Sequence, residues 1–279
     1  SPVVSHARLY STKDQMEDAF QGLDQQSLFD PITKKTWTVK KASHIPTAFR
    51  DAFNLAMSPL RGPVCINLPR HVLSDTSKFK INENKKSYKA ESDLKSKKNS
   101  IDRTIKLILN SKKTVIVAGG GIKYNSKFKS VTKLAEFLNI PIVTAAGHGD
   151  AIPFSHKLNA GQMGPRGNIV ASRLVKEAEL IIAIGTRLGF NSTFYSYENI
   201  NKNAKIVQIE LEKTMIGRYF PVNVGIHGDA ALVTDQILAE LRKQKKIFNY
   251  EEWTNSFLLE RSKFLKDRDN IKSKNFPIQ

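Results

Sequence analysis

The sequence predicts an α/β chain: a doubly wound, mainly parallel central sheet, preceded by part of a second α/β domain. Three observations predict it. Short apolar runs recur at Val64–Leu68, Thr114–Ala118, Pro141–Thr144, Leu180–Ile184 and Ala204–Glu210, as in strands buried on both faces. Segments of helical periodicity alternate with them, which argues for crossover connections. Glycine-rich turns follow several of the runs, where an open parallel sheet binds its ligands.

Taken in order, Ser43 is placed to cap a helix from His44 to Met57. Its apolar stripe is Ile45, Ala48, Phe49, Ala52, Phe53 and Ala56. Arg61-Gly62-Pro63 turns the chain into the first apolar run, which Pro69 closes. Residues 76–99 are poor in apolar side chains and read as a connector. Ser100 is placed to cap a helix carrying Ile101, Ile105 and Ile108. The strand Thr114–Ala118 then enters Gly119-Gly120-Gly121 directly. Helices are expected near 126–138 and 168–176, and Asp229 is placed to cap one from Ala230 to Leu241. A last amphipathic helix is expected around Trp253, Phe257 and Phe264. The expected divisions are 1–75, the end of a first domain; 76–99, a linker; 100–243, a central domain; and 244–279, a second linker.

Composition removes several function classes. The 279 residues carry 44 Lys+Arg against 26 Asp+Glu, a formal charge of +18. Lysines are densest at 78–98 and at 243–246, the connector and a helix end, without interleaved aromatics to stack bases. No nucleic-acid partner is therefore expected. The single cysteine, Cys65, excludes a disulfide framework and fits a reducing, cytoplasmic compartment. No stretch approaches the roughly 20 apolar residues of a membrane span, so no membrane partner is expected. The six histidines have no metal-binding spacing, and no metal ligands are assigned.

The candidate binding residues lie at strand ends. Gly119, Gly120 and Gly121 could let backbone amides approach a phosphate, or simply make a sharp turn; Tyr124 stands where a dinucleotide fingerprint needs its third glycine. In Gly164-Pro165-Arg166-Gly167 a cation sits between permissive glycines before a helix, which suits an anion as well as a tight solvated loop. Gly185, Thr186 and Arg187 follow one strand, Glu210 ends another, and Asp229 follows Gly228.

Together these residues resemble the thiamine-diphosphate enzymes of the acetolactate synthase type. Ser1-Pro2-Val3-Val4 is similar to the family's "PVV" strand and Ala19-Phe20-Gln21 to its "AFQ" element, with Gly22 where Glu is usual. Ile32-Thr33-Lys34 matches "ITK", and Arg61-Gly62-Pro63-Val64 through Arg70 resembles "RPGPVxxDxPxD". The first segment then resembles the end of the pyrimidine-binding domain, residues 100–241 the Rossmann-like central domain, and the tail the linker towards the diphosphate-binding domain.

The resemblance implies a decarboxylase or carboligase of 2-oxo acids, with thiamine diphosphate and Mg²⁺ supplying the carbanion chemistry. It implies that Phe20 and Gln21 border the thiamine site and that Arg70 supplies positive charge where the family has Lys. It also implies a homodimer or tetramer for the intact enzyme. The family's activating Glu and its metal-binding GDG…Asn element do not stand in these residues, so the chain reads as a middle piece, inactive by itself. Gly228-Asp229-Ala230 with Asn255 has compatible spacing, but a helix fills the gap. FAD is left open: the "GVRFDDR" of acetolactate synthases is here Gly185-Thr186-Arg187-Leu188-Gly189-Phe190-Asn191. Sulfoacetaldehyde acetyltransferases share the "GTRLG" form and a "GHxDxxPxSHxL" stretch matching Gly147–Leu158, which makes sulfoacetaldehyde the alternative substrate. A free-standing nucleotide-binding domain is the remaining alternative.

Overall fold

The computed structural model describes residues 4–9, 23–58, 61–78, 96–123, 128–244 and 248–270. The chain divides into two compact units, Ser1–Ser92 and Asp93–Gln279.

In the first unit, β1 (Val4–Leu9), α1 (Gln25–Phe29), β2 (Thr36–Thr38), α2 (Ile45–Met57), β3 (Val64–Pro69) and α3 (Arg70–Leu73) surround a parallel sheet of order β1-β3-β2. The central strand β3 is buried throughout. Ala48, Ala52 and Ala56 of α2 pack on Val64, Ile66 and Leu68, small residues that let the helix approach the sheet closely. The buried face is narrower than the expected stripe. Phe53 is turned about 100° from Ala52 and stays 57% exposed. Ser43 is no cap either: it lies in a 3-10 turn over Ala42–His44, and the helix starts at Ile45 with a proline in its first turn.

In the second unit, the elements are α4 (Lys98–Leu109), β4 (Thr114–Ala118), α5 (Phe128–Leu138), β5 (Ile142–Thr144), β6 (Asn159–Gln162), α6 (Ile169–Glu177), β7 (Leu180–Ile184), α7 (Phe190–Thr193), β8 (Lys205–Glu210), β9 (Val224–His227), α8 (Ala230–Arg242) and α9 (Glu251–Asp269). The six strands are all parallel in the order β6-β5-β4-β7-β8-β9. Chain direction across the sheet reverses between β4 and β7, which makes their carboxyl ends the topological switch point. Ile101, Leu134 and Ile237 of α4, α5 and α8 share one core layer with Ile116, Ile182 and Ile209. Leu174 of α6 and Trp253 and Phe257 of α9 share the other with Val115, Ile181 and Ile206. The sheet is therefore covered on both faces, as the continuous apolar runs require.

The start of α4 also differs from expectation. Helix α4 begins at Lys98 without a side-chain cap, so Ser100 lies inside it and its carbonyl accepts from Thr104 Oγ1 at 2.8 Å. Asn168 and Asp229 do cap, each accepting backbone N–H groups of its helix. Helix α9 is fixed to this unit by more than apolar burial: Trp253 Nε1 donates to Thr114 O at 3.0 Å, Thr254 Oγ1 to Asn139 O at 2.6 Å, and Arg261 Nε to Asn159 O at 2.8 Å. Among the described residues no helix is long and apolar enough to cross a membrane.

Candidate functional site at the strand ends

In the first unit, Phe20 and Gln21 lie outside the described residues. Arg70 is exposed directly after β3, at the carboxyl end of the parallel sheet. Lys34 closes the end of α2: its Nζ donates to Leu55 O at 2.8 Å and to Ser58 Oγ. A cation there answers unpaired helix carbonyls, and partial burial pushes the ammonium below its ordinary value. Cys65 is buried, 3.6 Å from Asn67 Oδ1, and burial pushes its thiol up, which disfavours the reactive thiolate.

The second unit's glycine-rich turns meet at the switch point. Gly119 N donates to Ile184 O at 3.0 Å and Gly121 N to Gly185 O at 2.9 Å. These two amides therefore bind the neighbouring turn rather than open space. A Cβ on Gly119 would stand 2.3 Å from Gly185 O, and one on Gly185, whose φ is +61°, 2.8 Å from Gly121 Cα. The glycines let two backbones interlock where any side chain would separate them. The remaining member, Gly120, faces the His148 imidazole, with a Cβ position 2.7 Å from Cε1.

Side chains supply the polar groups around this interlock. His148 Nδ1 is buried and has no hydrogen-bond partner among the described residues. Desolvation, with Lys123 and Arg187 nearby, pushes the ring below the usual histidine range, and Asp150 opposes this. Lys123 and Asp150 form an ion pair beside it. Arg187 is exposed and makes no ion pair among the described residues. Thr186 Oγ1 accepts Leu188 N at 3.2 Å, shaping the turn that presents Arg187. Burial pushes the Glu210 carboxyl up, opposed by the amides of Leu211 and Glu212 and by Arg187. Asp229 is 3.1 and 3.0 Å from the amides of Ala231 and Leu232, a helix cap.

The other predicted turn joins the same end of the sheet. Gly164, with φ +102°, lies against the loop after β7: a Cβ there would be 2.8 Å from Asn191 O. Gly167 N donates to Gly164 O at 2.8 Å, and Arg166 between them is exposed. Ala146 N donates to Ser192 Oγ at 3.0 Å and Gly147 N to Gln162 Oε1 at 3.1 Å. The loops after β5, β6 and β7 are thus tied together. Among the described residues no group of three or more His, Cys, Asp or Glu is placed to hold a metal ion.

A family model described as the thiamine pyrophosphate enzyme central domain matches residues 101–237, from within α4 to within α8. These residues of the second unit belong to the thiamine pyrophosphate enzyme central-domain family. It is 31% identical over its whole length to a probable acetolactate synthase large subunit of Methanococcus aeolicus, covering 46% of that protein. It is 32% identical to an acetolactate synthase large subunit of Buchnera aphidicola subsp. Acyrthosiphon pisum, over 86% of this chain and 42% of that one. It is 34% identical to a probable acetolactate synthase large subunit of Methanocaldococcus jannaschii, over 86% of this chain and 41% of that one. The chain spans less than half the length of these relatives.

An aromatic group at the same sheet end of this central-domain unit was not marked by the sequence motifs. Phe190, Phe194 and Tyr195 are each about half exposed, and all follow β7. Phe190 opens the short helix α7 and Phe194 ends it, a spacing that reads as a buried helical face, whereas all three rings are exposed. His148 was visible as a histidine but not as an unpaired one, because its burial depends on Gly120, remote in sequence.

Proposed function

We propose that the chain forms part of a thiamine-diphosphate-dependent enzyme of the acetolactate synthase type, decarboxylating a 2-oxo acid and joining the product to an acceptor. The observation that carries this is the similarity to an acetolactate synthase large subunit over all 279 residues, both units included. Thiamine diphosphate, held with Mg²⁺ outside these residues, supplies the carbanion chemistry when bound. In this reading Phe20 and Gln21 border the thiamine and Arg70 places positive charge at the carboxyl end of β3. The assembly is a homodimer or tetramer in the cytoplasm.

The central unit's share is a nucleotide site at the carboxyl ends of β4, β7 and β8, with FAD the candidate that the acetolactate synthase likeness implies. Its fit is specific in one respect. The turn amides of Gly119 and Gly121 are engaged within the protein, so charge for a phosphate comes from Arg187, and Glu210 stands at the end of the adjacent strand. A second reading, sulfoacetaldehyde acetyltransferase, is favoured by Gly185-Thr186-Arg187-Leu188-Gly189 and by Gly147–Leu158.

The test is acetolactate formation from pyruvate, with thiamine diphosphate and Mg²⁺ supplied, by the gene product carrying these residues. The synthase reading predicts acetolactate and a flavin absorbance band. Acetyl phosphate from sulfoacetaldehyde, without flavin, would replace it with the second reading. The 279 residues by themselves are expected to turn over no pyruvate, since neither the activating Glu nor the GDG…Asn element stands in them.

A further inference from the structure

The segment after β7 carries an exposed aromatic surface. Four rings stand in series: Phe194 stacks on Phe190 at 4.8 Å between centroids, Phe190 lies 5.6 Å from Tyr195, and Tyr195 stacks on Tyr219 at 4.5 Å. Scattered exposed aromatics are ordinary, but a contiguous series in water marks a contact surface.

The backbone is bent to present these rings. Phe194 and Tyr195 are consecutive left-handed residues with φ of 50° and 57°. Such a conformation is unfavourable for bulky side chains and persists only where surrounding bonds dictate it. Thr193 dictates it here. Fully buried, its Oγ1 donates to Leu188 O at 3.0 Å and accepts from Tyr195 N at 3.1 Å, while its carbonyl accepts from Asn199 Nδ2 at 3.1 Å.

Two arginines border the series. Neither Arg187 nor Arg218 makes an ion pair among the described residues. Arg218 lies 5.8 Å from the centre of the Tyr219 ring. A methyl group built on Gly189 would lie 3.5 Å from Arg187 Nε and 4.0 Å from Tyr219 Cε2, so guanidinium and ring flank one point. A ligand with a flat apolar part and an attached anion satisfies both features; an apolar surface alone leaves the arginines unanswered.

We propose that Phe190, Phe194, Tyr195 and Tyr219 form a stacking platform for the planar heteroaromatic ring of a nucleotide whose phosphates Arg187 and Arg218 meet. The platform rests on the nucleotide-site reading given above and identifies the part of the ligand that the site grips. Stacking recognises the π-face, so it accepts a purine or a flavin ring alike.

Calorimetric titration of the 279-residue chain with ADP and with inorganic pyrophosphate separates the two parts. ADP is expected to bind about tenfold more tightly than pyrophosphate, the increment being the ring. Phe190→Ala with Tyr195→Ala removes that increment and leaves pyrophosphate binding unchanged. Tyr195→Phe, which keeps the ring, binds ADP as the parent does. Arg187→Gln weakens both ligands. Equal binding of ADP and pyrophosphate by the parent chain overturns the platform alone, as does full ADP affinity in the double variant. Binding of neither ligand overturns the platform and the nucleotide site together.

Discussion

The turn after β4 and the loop after β7 stand side by side at the switch point and solve opposite problems. The first is all glycine, and its backbone interlocks with Gly185 so closely that no Cβ fits. The second is dense in aromatics and holds two of them in a left-handed backbone, half exposed. A glycine-rich turn at a strand end invites a phosphate-cradle reading, yet here the amides of Gly119 and Gly121 serve the contact between turns. The groups facing outward are on the loop that no glycine motif marks. Glycine therefore closes the sheet end, and the neighbouring loop presents the chemistry.

That contrast is open to attack from both sides. Gly119→Ala is expected to have the largest effect on stability, about 3 kcal/mol lost, because the new methyl meets a backbone oxygen that cannot rotate away; urea denaturation of the chain measures it. Thr193→Val comes next, with about 2 kcal/mol lost in the same measurement. It leaves the amide of Tyr195 without its partner and frees the rings, so weaker ADP binding should accompany the loss.

The third effect is pH-dependent. His148 is held below its usual value of 6.5, so the unfolded chain takes up the proton first as pH falls. The resulting stability is fully present above the unfolded value and is lost as pH falls through the lower folded one. Lys123, Arg187 and Asp150 are the charges that face the ring. Denaturation of His148→Gln over that range should show a shallower acid loss than the parent. Smallest is Tyr195→Gly, where relief of the left-handed backbone offsets a lost stack and stability stays within about 0.5 kcal/mol. An equal loss in Gly119→Ala and Tyr195→Gly would erase the distinction between the two loops.

How legible each part was follows from burial. The inner strands β4, β7 and β8 are covered on both faces and wrote themselves as apolar runs. The edge strands of the six-stranded sheet, β6 and β9, were not expected. In β6, Asn159-Ala160-Gly161-Gln162 has no apolar run, and β9 alternates buried and exposed residues over only four positions. Parallel pairing with a neighbour recruits them, which local sequence does not encode. The cap signal was legible at Asp229, which accepts from its own helix, and misleading at Ser43 and Ser100; Asn168 was expected only as the start of a helix, and it caps α6. At the site, Arg187, Glu210 and the glycines were legible as strand-end residues. The pairing of Gly119 with Gly185, of Gly120 with His148 and of Tyr195 with Tyr219 was not, since each joins loops far apart in the chain.

The proposed platform assigns ligand recognition at the switch point to side chains after β7 and β8 and leaves the turn after β4 structural. Amide hydrogen exchange of the chain with and without ADP tests it most directly. The account predicts new protection over residues 187–197 and 210–219, with Gly119 and Gly121 slow in both states because their amides are already bonded. Fast exchange at Gly119 and Gly121 that ADP then suppresses, with no change over 187–197, would contradict it.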